Sequence, residues 1–262
     1  MKGSFTTTGL RTPLIREGDD MAGILLRAAL ESSLGGFRNG DVLVIAESAL
    51  ATAEERVTCL DCVEPDEESI AMGERYDMDP RLVQVVREES DEIVGGIPGF
   101  LLSMTNGTLL PNAGVDGSNA PPGCVVPLPR DPDGSAKRIR KEIFRLCGAK
   151  IGVIVADSRT HAMRSGCSGV AIGCSGILAV IDARGRKDLF GRELEVTKLA
   201  LADNLASAAE IVMGEADECT PAAVIRGLDV PIGDFEGIES IAADKCLFMG
   251  LIARRGDEGE NY

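Results

Sequence analysis

The sequence predicts a mixed α/β protein, of the α/β or α+β class, built on a mixed sheet rather than a regular doubly wound one. Three observations carry that reading. Short apolar, β-branched runs of strand length (DVLVIA, IGVIVA, AAVIRGL) alternate with longer stretches whose apolar residues recur at helical spacing. The connections between them differ widely in length, up to a Pro-rich loop over 121–134. No repeat, low-complexity linker or clean boundary interrupts the chain, so one domain over 1–262 is expected.

Each element has its own signal. DDMAGILLRAALESSLGG (19–36) places Met21, Ile24, Leu25, Ala28 and Leu34 on one helical face, with acids at its start and glycines at its end. After Asn39-Gly40, DVLVIAESALA (41–51) reads as a buried strand. DEESIAMGERYDMDPRLVQVVREES (66–90) reads as two acidic helices broken near Asp79-Pro80, and GFLLSMTNGTLLPNAG as a hairpin turning at Asn106-Gly107. SAKRIRKEIFRLCG is a surface helix, with Ile139, Ile143 and Leu146 opposite Lys137, Arg138, Arg140 and Lys141, and Gly148 as its stop. IGVIVA (151–156) is a strand that delivers Asp157-Ser158-Arg159 into a polar loop. A helix over 193–214 precedes Glu215, and AAVIRGL (222–228) is a strand.

Composition narrows the function. With 44% hydrophobic residues in 262, the core is ample. The net charge of −15 argues against a nucleic-acid or anionic-membrane surface, which needs clustered Lys and Arg, and favours a divalent cation or small ligand. GVAIGCSGILAVI (169–181) is too short and glycine-rich to span a bilayer, and MKGSFTTTGL lacks the apolar core of a signal peptide, so a cytoplasmic location is expected. Of eight cysteines only Cys59 and Cys62 form a C-x-x-C. With one histidine, His161, and no second pair, a structural zinc is not expected, and most thiols read as small reduced core residues. No P-loop, Rossmann glycine fingerprint or G-x-S-x-G is present.

Three acids share a context: Asp116 and Asp157 after strands and Glu215 after a helix, each among Gly, Ser or Ala. Hard divalent ions take a few carboxylates and leave other positions to phosphate and water. The plain alternative for each acid is a turn residue, and only convergence in space decides between them. Arg164, Arg186 and Arg192 lie among glycines, where an anionic small ligand would want them, and equally beside Asp188, Glu193 and Glu195 as surface ion pairs.

Taken together, PLIREGDD (13–20), DVLVIAESALATAEER (41–56), NAGVDGSN (112–119), LPRDPDGSAKRIRKEI (128–143), VIVADS (153–158), RSGCSGVAIGCSG (164–176), GRKDLFGRELEVT (185–197), MGE (213–215) and PAAVIRGL (221–228) resemble the coenzyme F420-0:γ-glutamyl ligases. The resemblance covers almost the whole chain. It implies a two-lobed α+β fold, an intertwined homodimer, and a GTP- and metal-dependent ligase that attaches L-glutamate to the phospholactyl tail of a deazaflavin coenzyme through an acyl phosphate. It further implies a two-metal site for Mg2+ or Mn2+, with K+ as a further ion. The metal ligands fall on Asp116, Asp157, Ser158 and Glu215. The nucleotide contacts fall on Thr12, Pro13, Leu14 and Ile15, on Glu47 and Ser48, on Asn119, and on Met213, Gly214, Glu215, Ala216, Asp217, Glu218, Cys219 and Thr220. Arg164, Arg186 and Arg192 are the candidates for acceptor phosphate or carboxylates. The chain departs from the family pattern at Thr52, where a nucleotide-contacting lysine is usual, at Glu47, where a neutral hydroxyl residue is usual, and at Arg159 in the loop after Asp157. These departures leave open a paralogue acting on another carboxylate, or a non-catalytic nucleotide- and metal-binding relative.

Overall fold

The mixed α/β class holds in the computed structural model, which describes residues 3–250. The chain opens with β1 (Thr6–Leu10) and α1 (Met21–Glu31), whose first turn is capped where Asp20 accepts from the Gly23 N–H. β2 (Val42–Ala46) then passes directly into α2 (Glu47–Ala53). The strand expected over 41–51 therefore stops at Ala46. Its β-branched residues end at Ile45, and ESALATA is rich in strong helix formers. β3 (Thr58–Cys59) comes next, then α3 (Glu67–Tyr76) and α4 (Pro80–Glu88). Their break falls as expected, with Asp79 accepting from the Arg81 N–H and Pro80 in the first helical turn.

The chain continues through β4 (Glu92–Ile97), β5 (Phe100–Thr105) and β6 (Thr108–Pro111). The expected hairpin turns at Asn106 and Gly107, both with positive φ (52° and 69°), as a two-residue hairpin turn requires. β4 escapes sequence reading because two glycines interrupt EIVGGI. After β7 (Cys124–Val125), α5 (Pro132–Cys147) begins within the expected loop. Asp131 accepts from the Gly134 N–H, and Gly148 closes the helix in the left-handed region (φ 74°).

β8 (Gly152–Thr160) pairs with β9 (Cys167–Ser175) as far as Thr160↔Cys167. Asp157, Ser158 and Arg159 thus lie on a strand and not in a loop, and the glycines at 169 and 173 belong to its partner. β10 (Val180–Asp182) pairs with β11 (Lys198–Ala200), and α6 (Leu201–Met213) starts only after β11. The helix expected from 193 is shorter because the Val196-Thr197 pair disfavours a helical turn and residues 198–200 are taken by the strand pairing. β12 (Ala222–Arg226) completes the set.

The described residues divide into two compact units, 3–62 with 115–238, and 63–114 with 239–250. The first holds a five-stranded sheet in the order β1-β12-β2-β8-β9, in which β2 and β8 run parallel and the other neighbours antiparallel. Alternation along the central strands feeds two cores. Leu43, Ile45, Val153 and Val155 pack with Leu25 of α1 and Ile143 of α5. Val42, Val44, Ile154 and Ile225 pack with Leu205 and Ala206 of α6. Central strands buried on both faces explain why the runs are continuously apolar rather than alternating. Each fully buried Leu or Ile adds roughly 1.5–3 kcal/mol. In the second unit, α3 and α4 accompany the antiparallel sheet β4-β5-β6, and Arg87 ties the two helices through Asp66 (2.6 Å) and Glu68.

The cysteines correct another expectation. All eight are free, and only Cys174 is buried; Cys62, Cys147, Cys167 and Cys219 are exposed.

Candidate active site

Sheet topology brings four separated segments to one edge. β1 ends at Leu10, which pairs with Ala222 at the start of β12; Ala222 pairs with Ile45 near the end of β2; Ala46 pairs in parallel with Ala156 of β8. The segments adjoining these strand ends therefore emerge together: residues 11–15, Glu47 and Ser48, Asp157 and Ser158, and residues 213–221. Two backbone hydrogen bonds fasten the assembly. The Thr12 N–H donates to the Cys219 carbonyl (2.9 Å), and the Ala46 N–H donates to the Pro221 carbonyl (2.8 Å). The carboxyl ends of parallel strands are where α/β sheets place ligands.

The acids at this edge are not all solvated. Glu47 opens α2 and is buried. Burial first, then the charges of Asp157 and Asp116, push its carboxyl well above the ordinary carboxylate range. Asp157 is likewise buried and raised, chiefly by burial, with Asp116 adding to the rise. Against this, the Arg159 guanidinium, two residues along and on the same face of β8, donates from Nε to Asp157 Oδ2 at 2.7 Å in a pair that is itself buried. Asp116 lies half-buried beside Val126, with which it exchanges two backbone hydrogen bonds (3.0 and 2.8 Å), and its Oδ1 accepts from the Ser118 N–H at 2.7 Å. Glu47, Asp157 and Asp116 thus form one neighbourhood of mutually repelling carboxylates.

A second pair flanks it. Glu215 lies beyond Gly214, just past the end of α6, and is exposed, and the Glu210 carboxyl lies against it. The Glu210 Oε1 is buried without a hydrogen-bond partner. Burial first, then contact with Glu215, pushes Glu210 up to about 7, while groups on Gly169 and Ser158 oppose the rise. Sequence reading misses Glu210. Its signal is an acid in an otherwise small and apolar final turn, AAEIVM.

Among the described residues, no three acidic, thiol or imidazole groups stand as a ready-made metal cage. The donor chemistry nevertheless fits a hard divalent cation, because buried carboxylates that hold one another's charge off are what such an ion would relieve. In the same structure Arg159 supplies the positive charge on Asp157.

Thr12 is buried, with its hydroxyl donating to the Pro13 carbonyl (2.8 Å), while Pro13 and Leu14 face solvent. Residues 214–219 are exposed; the Ala216 N–H donates to Glu218 Oε2 (2.8 Å). Asn119 is exposed with positive φ (56°) in the segment that carries Asp116. The start of NAGVDGSN has a structural task. Asn112, Ala113 and Gly114 are consecutively left-handed, Asn112 Oδ1 accepts from the Leu101 N–H (2.9 Å), and the Ala113 N–H donates to Ser103 Oγ (2.8 Å). Thr52 returns its hydroxyl to the Ser48 carbonyl (2.8 Å) within α2. Arg164, Arg186 and Arg192 are exposed, and Arg192 bonds Asp188 of its own turn (3.2 Å).

A mixed α/β fold whose sheet edge gathers paired carboxylates from four chain segments, without a phosphate-binding glycine loop, has the makings of an enzyme site outside the common nucleotide-binding architectures. Residues 9–227, which include every segment of this edge, match the family model described as F420-0:Gamma-glutamyl ligase. The coenzyme F420:L-glutamate ligase of Methanopyrus kandleri is 45% identical over 224 residues, covering 85% of this chain and 86% of the relative. The proteins of the same description from Methanocaldococcus jannaschii and Archaeoglobus fulgidus are each 42% identical, covering 92% and 86% of this chain and 94% and 88% of their own length. The chain belongs to the F420-0:γ-glutamyl ligase family, and with it to the ligases.

Proposed function

We propose that this protein is a GTP- and divalent-metal-dependent ligase that joins the amino group of L-glutamate to the phospholactyl carboxylate of coenzyme F420-0 and extends the resulting γ-glutamyl tail. The observation that carries the reading is the convergence of residues 12–15, Glu47 with Ser48, Asp157 with Ser158, and residues 213–220 at one sheet edge, in a chain matched to the family from residue 9 to 227.

A carboxylate is a poor acyl donor. In the proposed reaction the acceptor carboxylate attacks the γ-phosphate and GDP leaves; the glutamate amine then attacks the acyl carbon and phosphate leaves. Asp116, Asp157, Ser158 and Glu215 would hold Mg2+ or Mn2+, whose chemistry is to neutralise charge gathering on phosphoryl oxygens. Asn119 and the backbone of residues 12–15 and 213–220 would line the nucleotide. Glu47, whose carboxyl is pushed above its ordinary range by burial and by the charges of Asp157 and Asp116, would stand beside that cation, which would relieve the repulsion among the three. Arg159 would yield Asp157 to the cation.

Incubating the purified protein with F420-0, L-glutamate, GTP and Mn2+ should give products heavier by one or more glutamyl residues in mass spectrometry. Asp116→Asn should remove that turnover with an unchanged circular dichroism spectrum. Full activity of Asp116→Asn would remove that residue from the site. A second reading, the same chemistry on another carboxylate acceptor, draws support from the buried Arg159 beside Asp157; glutamylation of another acceptor with none on F420-0 would select it.

A further inference from the structure

Outside the acidic edge, three of the eight thiols meet. Cys59 and Cys124 stand opposite each other in the antiparallel pair β3–β7. The Leu60 N–H donates to the Gly123 carbonyl (2.9 Å), and the Cys124 N–H turns away to the Pro121 carbonyl (2.9 Å). Cys59 and Cys124 therefore occupy a non-hydrogen-bonded position, where Cα atoms come within about 4.5 Å and side chains are closest. That separation falls in the range a disulfide spans, about 4.4–6.8 Å. The 3-10 turn Leu60–Cys62 brings the exposed Cys62 back onto Cys59, so that Cys59 makes thiol contacts with both Cys62 and Cys124.

We propose that Cys59, Cys62 and Cys124 form a thiol–disulfide exchange site that fastens the base of the 116–126 segment, with Cys59–Cys124 as the stable disulfide and Cys62 as the exposed entry thiol. The step balances with a low-molecular-weight disulfide as oxidant. The Cys62 thiol attacks it, releases one small thiol and becomes a mixed disulfide. Cys59 attacks the Cys62 sulfur and releases the second small thiol. Cys124 then attacks the Cys59 sulfur and returns Cys62 to the thiol. Two protein thiols are oxidised and one small disulfide is reduced to two thiols. The place of the bond gives it a consequence. Asp116 stands in the Asp116↔Val126 bridge and Asn119 in the loop between it and the β3–β7 pair, so a covalent tie at Cys124 restrains the segment that presents them. The exchange site is independent of the ligase reading, because it concerns only the thiols and the segment they tie.

The test is to equilibrate the whole protein in glutathione buffers of graded ratio, quench with acid, alkylate and map peptides. The expected result is a Cys59–Cys124 linked peptide that appears and disappears reversibly with the ratio, while the exposed Cys147, Cys167 and Cys219 remain alkylated. Cys62→Ser should give the same link about tenfold more slowly, and Cys124→Ser should divert it to Cys59–Cys62. Protease cleavage within residues 116–123 should slow in the oxidised form. Equal alkylation of Cys59, Cys124 and the exposed thiols at every ratio, a glutathione adduct without an internal link, or zinc retained by three reduced thiols would each overturn the proposal.

Discussion

Glu47 is the residue whose surroundings most change its meaning. In the sequence it is an acid where a phosphate contact is expected; in the fold it is buried beside Asp157 and Asp116 at the start of α2. Replacing it with Gln removes the repulsion and keeps the hydrogen-bonding shape. We expect Glu47→Gln to keep the fold and to weaken Mn2+ binding by on the order of 10–100-fold, measured by calorimetric titration. Unchanged affinity would separate Glu47 from the metal neighbourhood. Glu210 makes a pH prediction. Its folded value of about 7 lies above the ordinary 4.5, so between those pH values the folded protein keeps a proton that the unfolded chain has released. Stability from this group is present below pH 4.5 and is lost as pH rises toward 7. The melting temperature of the metal-free protein should fall across that window, and Glu210→Gln should flatten the fall. An equal slope in the variant would assign the pH dependence elsewhere.

Among the elements, the close fit of α5 and α6 on β9 positions the edge. A Cβ built at Gly169 would stand 2.6 Å from the Ala206 backbone, and one at Gly173 would stand 2.4 Å from the Pro132 backbone. Helix backbone cannot yield as a side-chain tip does. Gly169→Ala should therefore destabilise by about 1–3 kcal/mol, read by denaturant unfolding, and displace α6, which carries Glu210 and leads into residues 213–220. A neutral result would mean α6 shifts freely on the sheet. These same elements show what the sequence made legible. The central strands, the α3–α4 break and the Asn106-Gly107 turn come from local rules: apolar runs, a capped proline, a two-residue hairpin turn. The helix start at Glu47 and the extension of β8 through Arg159 do not, because they depend on which neighbour each strand finds. Asp116, Asp157 and Glu215 stand out in the sequence as lone acids after regular elements. Glu210 and the placing of Glu47 require the sheet order β1-β12-β2-β8, which brings distant segments to one edge.

Across the protein as a unit of charge and surface, a net charge of −15 with acids gathered at one sheet edge favours divalent cations from a distance as well as at contact. The exposed Leu189, Phe190 and Val196 of the 185–197 turn are the side chains we propose a second copy covers. Phe190→Asp should shift the protein to monomer in sedimentation analysis; an unchanged mass would place the dimer contact elsewhere. Above all, the edge built from β1, β12, β2 and β8 is expected to bind metal and nucleotide together. The decisive experiment titrates GTP into the protein by calorimetry with and without Mn2+, and repeats the titration with Asp157→Asn. GTP binding should require Mn2+ and be lost in Asp157→Asn with the fold intact. Equal GTP binding with and without Mn2+, or by wild type and variant alike, would refute a shared metal and nucleotide site at this edge.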